Sequence, residues 1–427
     1  MDKEKKEKLK KNLLLFIIVA IAVLSMITAN NKRIERRKQK EEIVEKEGYK
    51  LSGNFNADII KKIHAVSGDK NYLLSPYNIM VALNMLRDGA DGETKEEIDK
   101  VLGNTKINDL RVSNKIGIAN GIFIKNKYQN KVLDTYYKTM TTKYEADIKF
   151  DEFNTPKVIN DWVKEKTWGM IEELLDSIDK DYVMGLASAL AIDVKWQDGF
   201  ECNLTTKEKF TKLDDSVMDV EMMHKTYKSS GYKFINNSIT EGVIIPYMKE
   251  QNSKVELEFI GLKPKSSIDY FIKNLDKEKL EDITKNTIEA SNNFHVNVSL
   301  PRFKYGYEVS DFKYVLQNLG IKEVFNPNAA NLTKIMQRDD EINNLYVSDA
   351  IHKTFIELNE IGTKAAAVTY FGFKNYSAII EDDFEEVNVD FDQPFVYMIR
   401  ERNTGDILFF GTVYEPNKWE KTTCKEK

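Results

Sequence analysis

An α+β fold, with helices packed beside large and mainly antiparallel sheets, is what the texture of this chain predicts. Apolar residues recur at helical spacing in its first half, and beyond residue 185 they gather into short runs with strand character. After residue 50 no Pro/Gly/Ser-rich linker and no internal repeat interrupts the chain, so one large domain follows a distinct leader.

The leader comes first. Residues 1–11 are basic and residues 12–31 carry no charged side chain, with Leu13 to Ala29 almost wholly apolar. That run approaches the roughly 20 residues that cross a bilayer. A cut after Ala29 would leave Ile27 where a signal peptidase prefers a small residue, and no neighbouring cysteine offers a lipid anchor. An uncleaved transmembrane anchor is therefore favoured over a secretory signal. Long folded domains translocate largely regardless of flanking charge, which places the body outside the membrane, behind a charged stalk at residues 32–51.

The body is expected over residues 52–417, followed by a short tail at 418–427. Phe55, Ile59, Ile60, Ile63 and Val66 share one helical face, and Ser52 or Asn54 can cap that helix. A second amphipathic helix is read over Asn160 to Ile178 from Trp162, Val163, Met170, Ile171, Leu174 and Leu175. Strands are read at Leu186–Trp196, Val243–Tyr247, Val255–Leu262, Phe294–Leu300 and Val387–Tyr397.

Composition narrows the function. Hydrophobic residues make up 42% of the chain, enough for a packed core. Residues 1–40 hold 12 Lys/Arg against 4 Asp/Glu, leaving 51 against 64 in the remainder, so the body is acidic. An acidic body is a poor nucleic-acid surface, since that affinity comes mostly from cations on phosphates. Cys202 and Cys424 are the only cysteines, and the sequence does not decide whether they pair. No G-x-S-x-G, H-E-x-x-H, paired C-x-x-C or P-loop motif occurs, and none of the four histidines stands at metal-pair spacing. Neither an enzyme, a metal site nor a cofactor is expected.

The most informative segment is His352 to Thr369, where a strand-like run leads into small residues. Gly362 supplies a joint without a side chain. In an extended chain Thr363, Ala365, Ala367 and Thr369 share one face, and Lys364, Ala366, Val368 and Tyr370 share the other. A face so slim can slide between two strands of a packed sheet. Taken alone, the same letters also suit an Ala-rich helix start or a plain loop.

The neighbouring blocks decide between these readings. Asn71-Tyr-Leu-Leu-Ser75-Pro76, running on to Gly89-Ala90-Asp-Gly92-Glu-Thr94, stands upstream, followed by Ile159-Asn160-Asp-Trp162-Val163 with Thr167 and Ile171. Trp196 with Phe200, Val298-Ser-Leu-Pro301-Arg-Phe303, and Leu319-Gly320 to Phe325 come next, and Gln393-Pro394-Phe395 with Gly405 to Gly411 closes the series. In content and order these blocks resemble the serpin family of serine protease inhibitors over residues 52 to 417.

That resemblance implies a serpin fold with an exposed reactive-centre loop and a monomer. It implies a suicide substrate: a serine protease cleaves the loop, becomes covalently attached, and the severed strand inserts into the central sheet. Glu360, Gly362, Thr363, Ala365, Ala366, Ala367 and Thr369 would form the hinge. Counting sixteen residues on from Glu360 gives Tyr376 before the scissile bond and Ser377 after it, which suits chymotrypsin-like or subtilisin-like proteases; Phe373 and Lys374 are the alternatives. Ile361 and Lys364 depart from the family pattern, as does a polar cluster in which Ser75 and His352 keep their places while Asn78 and Ser188 exchange residue types. Trp196 would belong with these residues under the main sheet. A non-inhibitory binding or chaperone-like role is the alternative reading.

Overall fold

The computed structural model describes residues 51–420 apart from 109, 111–115, 179–181, 252, 310, 337–344, 349 and 364–383. The leader, the proposed membrane segment and all of its stalk but Leu51 lie outside these residues. Among the described residues no helix is long and apolar enough to cross a membrane.

Helix Phe55–Ser67 begins where the Asn54 side chain accepts the Ala57 amide at 2.9 Å, and it buries Ile59, Ile60 and Ile63. Helix Pro76–Gly89 is capped by Ser75 and has Pro76 in its first turn, where the missing N–H costs nothing. Almost every residue of that helix is buried, because it runs through the core beneath the sheets.

The largest sheet orders seven strands as β1 (Tyr72–Leu74), β18 (Ile407–Val413), β17 (Phe395–Glu401), β10 (Leu257–Pro264), β9 (Thr240–Pro246), β8 (Lys233–Asn236) and β11 (Ile288–Glu289). Each neighbouring pair is antiparallel, and β17 and β18 are apolar and buried over most of their length. A second sheet orders β16 (Glu385–Asp390), β12 (Phe294–Pro301), β7 (Val217–Tyr227) and β6 (Thr206–Thr211), with β16 parallel to β12 over six residue pairs. A three-stranded sheet holds β3 (Asp147–Asp151), β2 (Ile116–Lys125) and β4 (Met184–Ile192). The last sheet orders β13 (Phe303–Glu308), β14 (Lys353–Leu358), β15 (Gly362–Thr363) and β5 (Val194–Lys195).

Only Asp193 separates β4 from β5, so these last two sheets adjoin along one line of chain. Beside β5 that line is filled by β15, which pairs with β5 on one side and β14 on the other. Beside β4 no described ladder reaches β14. A cavity of about 500 Å³ lies there instead, with β4 residues, Ile351, His352 and Lys353 in its lining.

Two expectations need correction. The helix read over residues 160–178 spans only Lys157–Lys166. Trp168 and Gly169 turn left-handed, at φ of 52° and 76°, and the Gly169 amide closes back onto the Lys164 carbonyl at 2.7 Å, a helix-ending pattern. Asn160 then pins the segment beyond: its Oδ1 accepts the amides of Leu174 and Leu175 at 2.8 and 3.0 Å, and its Nδ2 donates to the Leu175 carbonyl at 2.7 Å. Ile171, Leu174, Leu175 and Ile178 still cover the cluster around Phe123, Trp162 and Val163, so their helical spacing reports burial without a helix. The strand read over Val387–Tyr397 is two, β16 and β17, in different sheets; Pro394, which has no N–H for a ladder, stands at the break.

Asn160→Ala leaves two amides and a carbonyl of this segment to find other partners. We expect a loss of ~1–3 kcal/mol of unfolding free energy by urea denaturation, with faster hydrogen exchange confined to residues 170–178.

Candidate functional site

At the upper end of the seam, β14 turns back on itself through Asn359, Glu360 and Ile361 into β15. The turn is closed by the Asn359 amide on the Gly362 carbonyl at 3.0 Å and by the Ile361 amide on Asn359 Oδ1 at 3.0 Å. Gly362 admits no other residue type, because a Cβ there would stand 2.0 Å from the Val194 carbonyl oxygen. Thr363 follows with 2% exposure, its hydroxyl 2.5 Å from that of Tyr247. Burial drives the Tyr247 hydroxyl upward, so it stays protonated and available to donate.

Trp196 holds this turn from the side. Its indole stacks on Tyr247 with ring centres 4.6 Å apart, its Nε1 donates to the Asn359 carbonyl at 2.9 Å, and its amide donates to the Ile361 carbonyl at 2.9 Å. The Phe200 amide reaches the Glu360 carbonyl at 3.0 Å, an approach that needs glycine at 199, where a Cβ would lie 2.7 Å from the same oxygen.

Glu360 is buried, and its charge is met in place. Arg302 Nε lies 2.9 Å from both carboxylate oxygens, Arg302 Nη2 lies 2.5 Å from one, and the Thr205 hydroxyl donates to it at 2.5 Å. Arg302 Nη1 reaches Glu221 at 3.0 Å. Burial opposes the guanidinium's charge, but the two carboxylates outweigh it and raise its pKa. Cys202 Sγ lies 3.8 Å from Arg302 Nη2 and is disulfide-bonded; Cys424, the only other cysteine, is outside the described residues.

Lower in the seam the structure brings together Ser75, Asn78, Ser188 and His352. The Ser188 hydroxyl donates to Asn78 Oδ1 at 2.9 Å, and Asn78 Nδ2 donates to the Ser188 carbonyl at 2.8 Å. Ser75 Oγ accepts the Asn78 amide at 3.2 Å, and His352 Nε2 accepts the Ser75 amide at 3.0 Å. Accepting through Nε2 requires a neutral ring with its proton on Nδ1, and burial pushes the imidazole down to about 3. Asn120 on β2 joins the cluster, its Oδ1 2.9 Å from the Ser188 hydroxyl and its Nδ2 donating to the Tyr144 carbonyl at 2.9 Å.

The expected hinge residues Ala365, Ala366, Ala367 and Thr369, the expected bond Tyr376–Ser377, and Phe373 and Lys374 lie outside the described residues. Sequence reading missed Asn120, Thr205, Glu221, Tyr247 and Arg302. Arg302 stands inside one of the recognised blocks, between Pro301 and Phe303, and an arginine between two strand-like runs was the available signal. Among the described residues no group of three or more His, Cys, Asp or Glu could hold a metal ion.

Comparison with known proteins bears on what this arrangement belongs to. The family described as Serpin (serine protease inhibitor) matches residues 50–416. The chain belongs to the serpin family. Iripin-5 of Ixodes ricinus is 32% identical over 389 residues, covering 85% of this chain and 94% of that protein, and human neuroserpin is 29% identical over 391 residues, covering 85% and 90%. The native-state crystal structure of the thermophilic serpin tengpin superposes with a TM-score of 0.72 at 31% identity, covering 85% of this serpin and 93% of that chain. The expected serpin fold is the observed one.

Two measurements test the polar cluster. Asn78→Ser and Ser188→Asn should each destabilise by ~1–3 kcal/mol, because each strands a buried partner, while the double substitution should cost at least ~1 kcal/mol less than their sum. Full additivity would show that the two residues do not act as a pair. The second concerns pH. His352 has a folded pKa below its unfolded value of 6.5, so the unfolded chain takes up the extra proton and stability falls as pH drops from about 6.5 toward 3. Relative to His352→Gln, the wild type should lose ~1.4 kcal/mol per pH unit across that window, read from urea midpoints.

Proposed function

We propose that this serpin is a suicide inhibitor of serine proteases, with Tyr376–Ser377 as the reactive bond and a protease with a hydrophobic specificity pocket as its target. The observation that carries this reading is β15: Gly362 and Thr363 already lie as a strand between β5 and β14, in register with both. The residue types that follow, Ala365, Ala366, Ala367 and Thr369, are small enough to continue that strand along the seam beside β4.

In this reading the protease serine attacks the Tyr376 carbonyl, an ester forms, and the Ser377 amine leaves with the downstream chain. The upstream segment, no longer tied at its far end, gains backbone hydrogen bonds and buried contacts along the seam. The attached protease is dragged with it and its catalytic geometry is distorted; errors of about 1 Å in such geometry cost ~10²-fold in rate. The native state is then a kinetic trap held by a barrier. Lys364 falls on the face opposite Thr363 by alternation, so insertion need not bury its ammonium. We further propose that residues 12–31 anchor the inhibitor at the outer face of a membrane, which alkaline-carbonate extraction and protease accessibility on intact cells would test.

Mixed with chymotrypsin, subtilisin or trypsin, the protein should give an SDS-resistant adduct with at least one of the first two, and the mass of the released peptide should begin at Ser377. The nicked protein should melt well above the intact one; equal melting temperatures would mean that cleavage releases no stored energy. Thr363→Arg would force a charge in beside Tyr247 and should convert the inhibitor into a substrate, with cleavage retained and the adduct lost. Unchanged adduct formation by that variant would overturn the insertion mechanism.

A further inference from the structure

The cavity beside β4 contains a hydrogen-bond donor that the protein itself does not use. It reaches from the core helix Pro76–Gly89 to the pinned segment after residue 166 and offers about 500 Å³, within the ~300–1,000 Å³ range of small-molecule sites. Its lining is mainly apolar. Ala82, Leu83 and Leu86 come from the core helix, Leu186 from β4, and Phe312 and Leu316 from the helix Phe312–Leu319. Ser177, Tyr346 and Ser348 also belong to the lining and are exposed, so they mark where it opens to solvent.

The polar groups deeper in the lining are engaged with one another. Asn78 and Ser188 bond each other, and the Tyr182 hydroxyl donates to the Phe123 carbonyl at 3.1 Å. His352 is the exception. With Nε2 accepting the Ser75 amide at 3.0 Å the ring carries its proton on Nδ1, and among the described residues nothing accepts that proton. Nδ1 of His64 also lacks a partner but is sealed in by packing; Nδ1 of His352 is not sealed, and its ring, only 6% exposed, stands in the cavity wall. A buried donor without an acceptor costs free energy that an incoming acceptor recovers.

Charge selects among acceptors. Lys353 is the one lysine or arginine in the lining, and Glu308 engages it at 3.1 Å. An anion would therefore enter apolar surroundings beside a neutral imidazole with no counter-charge, whereas a carbonyl avoids that desolvation cost.

We propose that this cavity binds an apolar small molecule bearing one neutral carbonyl, whose oxygen accepts the His352 Nδ1 proton while the apolar body lies among Ala82, Leu83, Leu86 and Leu186. Occupancy would also compete with the strand that the proposed inhibitor inserts beside β4. That consequence rests on the inhibitory reading, but binding is measured without a protease, so the two fail separately.

The probe is prodan, a dialkylamino-naphthyl ketone whose emission moves to the blue in apolar surroundings. Added to the full chain, it should bind saturably and one to one. Ala82→Phe and Leu186→Phe fill the space from the helix and from the strand, and each should weaken binding at least about tenfold. The analogue with a sulfonate in place of the ketone, measured by competition, should bind at least about tenfold more weakly than prodan. In protein carrying nitrogen-15 histidine, where only four rings give signals, the Nδ1 proton of His352 should exchange with water at least about tenfold more slowly once prodan is bound. That last measurement uses the unaltered chain and decides the matter even where a filled variant does not fold. Absence of saturable binding would overturn the site, as would binding that both fillings leave untouched. Unchanged exchange at His352 Nδ1, or a sulfonate that competes as well as the ketone, would overturn the carbonyl contact and the ligand class with it.

Discussion

The arrangement of the seam depends on a buried ion pair. Glu360 sits at the apex of the turn from β14 into β15, and the guanidinium of Arg302 answers both of its oxygens while also binding Glu221. A buried pair of this kind adds little net stability over an apolar replacement, yet breaking it by removing one partner costs ~3–5 kcal/mol. Its contribution is positional. With Glu360 fixed, Gly362 falls against the Val194 carbonyl and Thr363 meets Tyr247, so the chain enters the sheet at one register.

Lower down, the seam is governed by hydrogen bonds that must stay satisfied out of water. Asn78 and Ser188 answer each other twice, Asn120 Oδ1 stands beside the same hydroxyl as an alternative acceptor, and His352 holds the backbone ahead of the core helix Pro76–Gly89. Such a group is stable while complete and costly when one member is lost. Beside it the cavity is lined mainly by apolar side chains, drawn from the core helix, from β4, from the pinned segment after residue 166 and from Phe312, Leu316, Phe325, Leu332 and Ile335. Polar specification and apolar surface thus adjoin along the same line.

Much of this was legible in the sequence, for identifiable reasons. The first helix was readable because its apolar period and its Asn54 cap agree. Gly362 was readable as a joint without a side chain, and a Cβ there would indeed meet the Val194 carbonyl oxygen. The helix beyond Lys166 was over-read because Ile171, Leu174 and Leu175 keep a helical period while Asn160 satisfies their backbone from elsewhere. Glu221 and Tyr247, which meet the turn through Arg302 and Thr363, were invisible because each is ordinary at its own place in the chain. Only the meeting of three sheets makes them neighbours.

The parallel strand β16 gives the loop's far end a separate mooring. Thr363 enters one sheet, Phe384 leads into another, and twenty residues span the gap between them. β16 is held to β12 by six parallel pairs and by the Ser299–Asp390 hydrogen bond at 2.6 Å. The two ends of the interval between Thr363 and Phe384 are thus fixed in separate sheets, and a change at either end would have to undo its own set of hydrogen bonds.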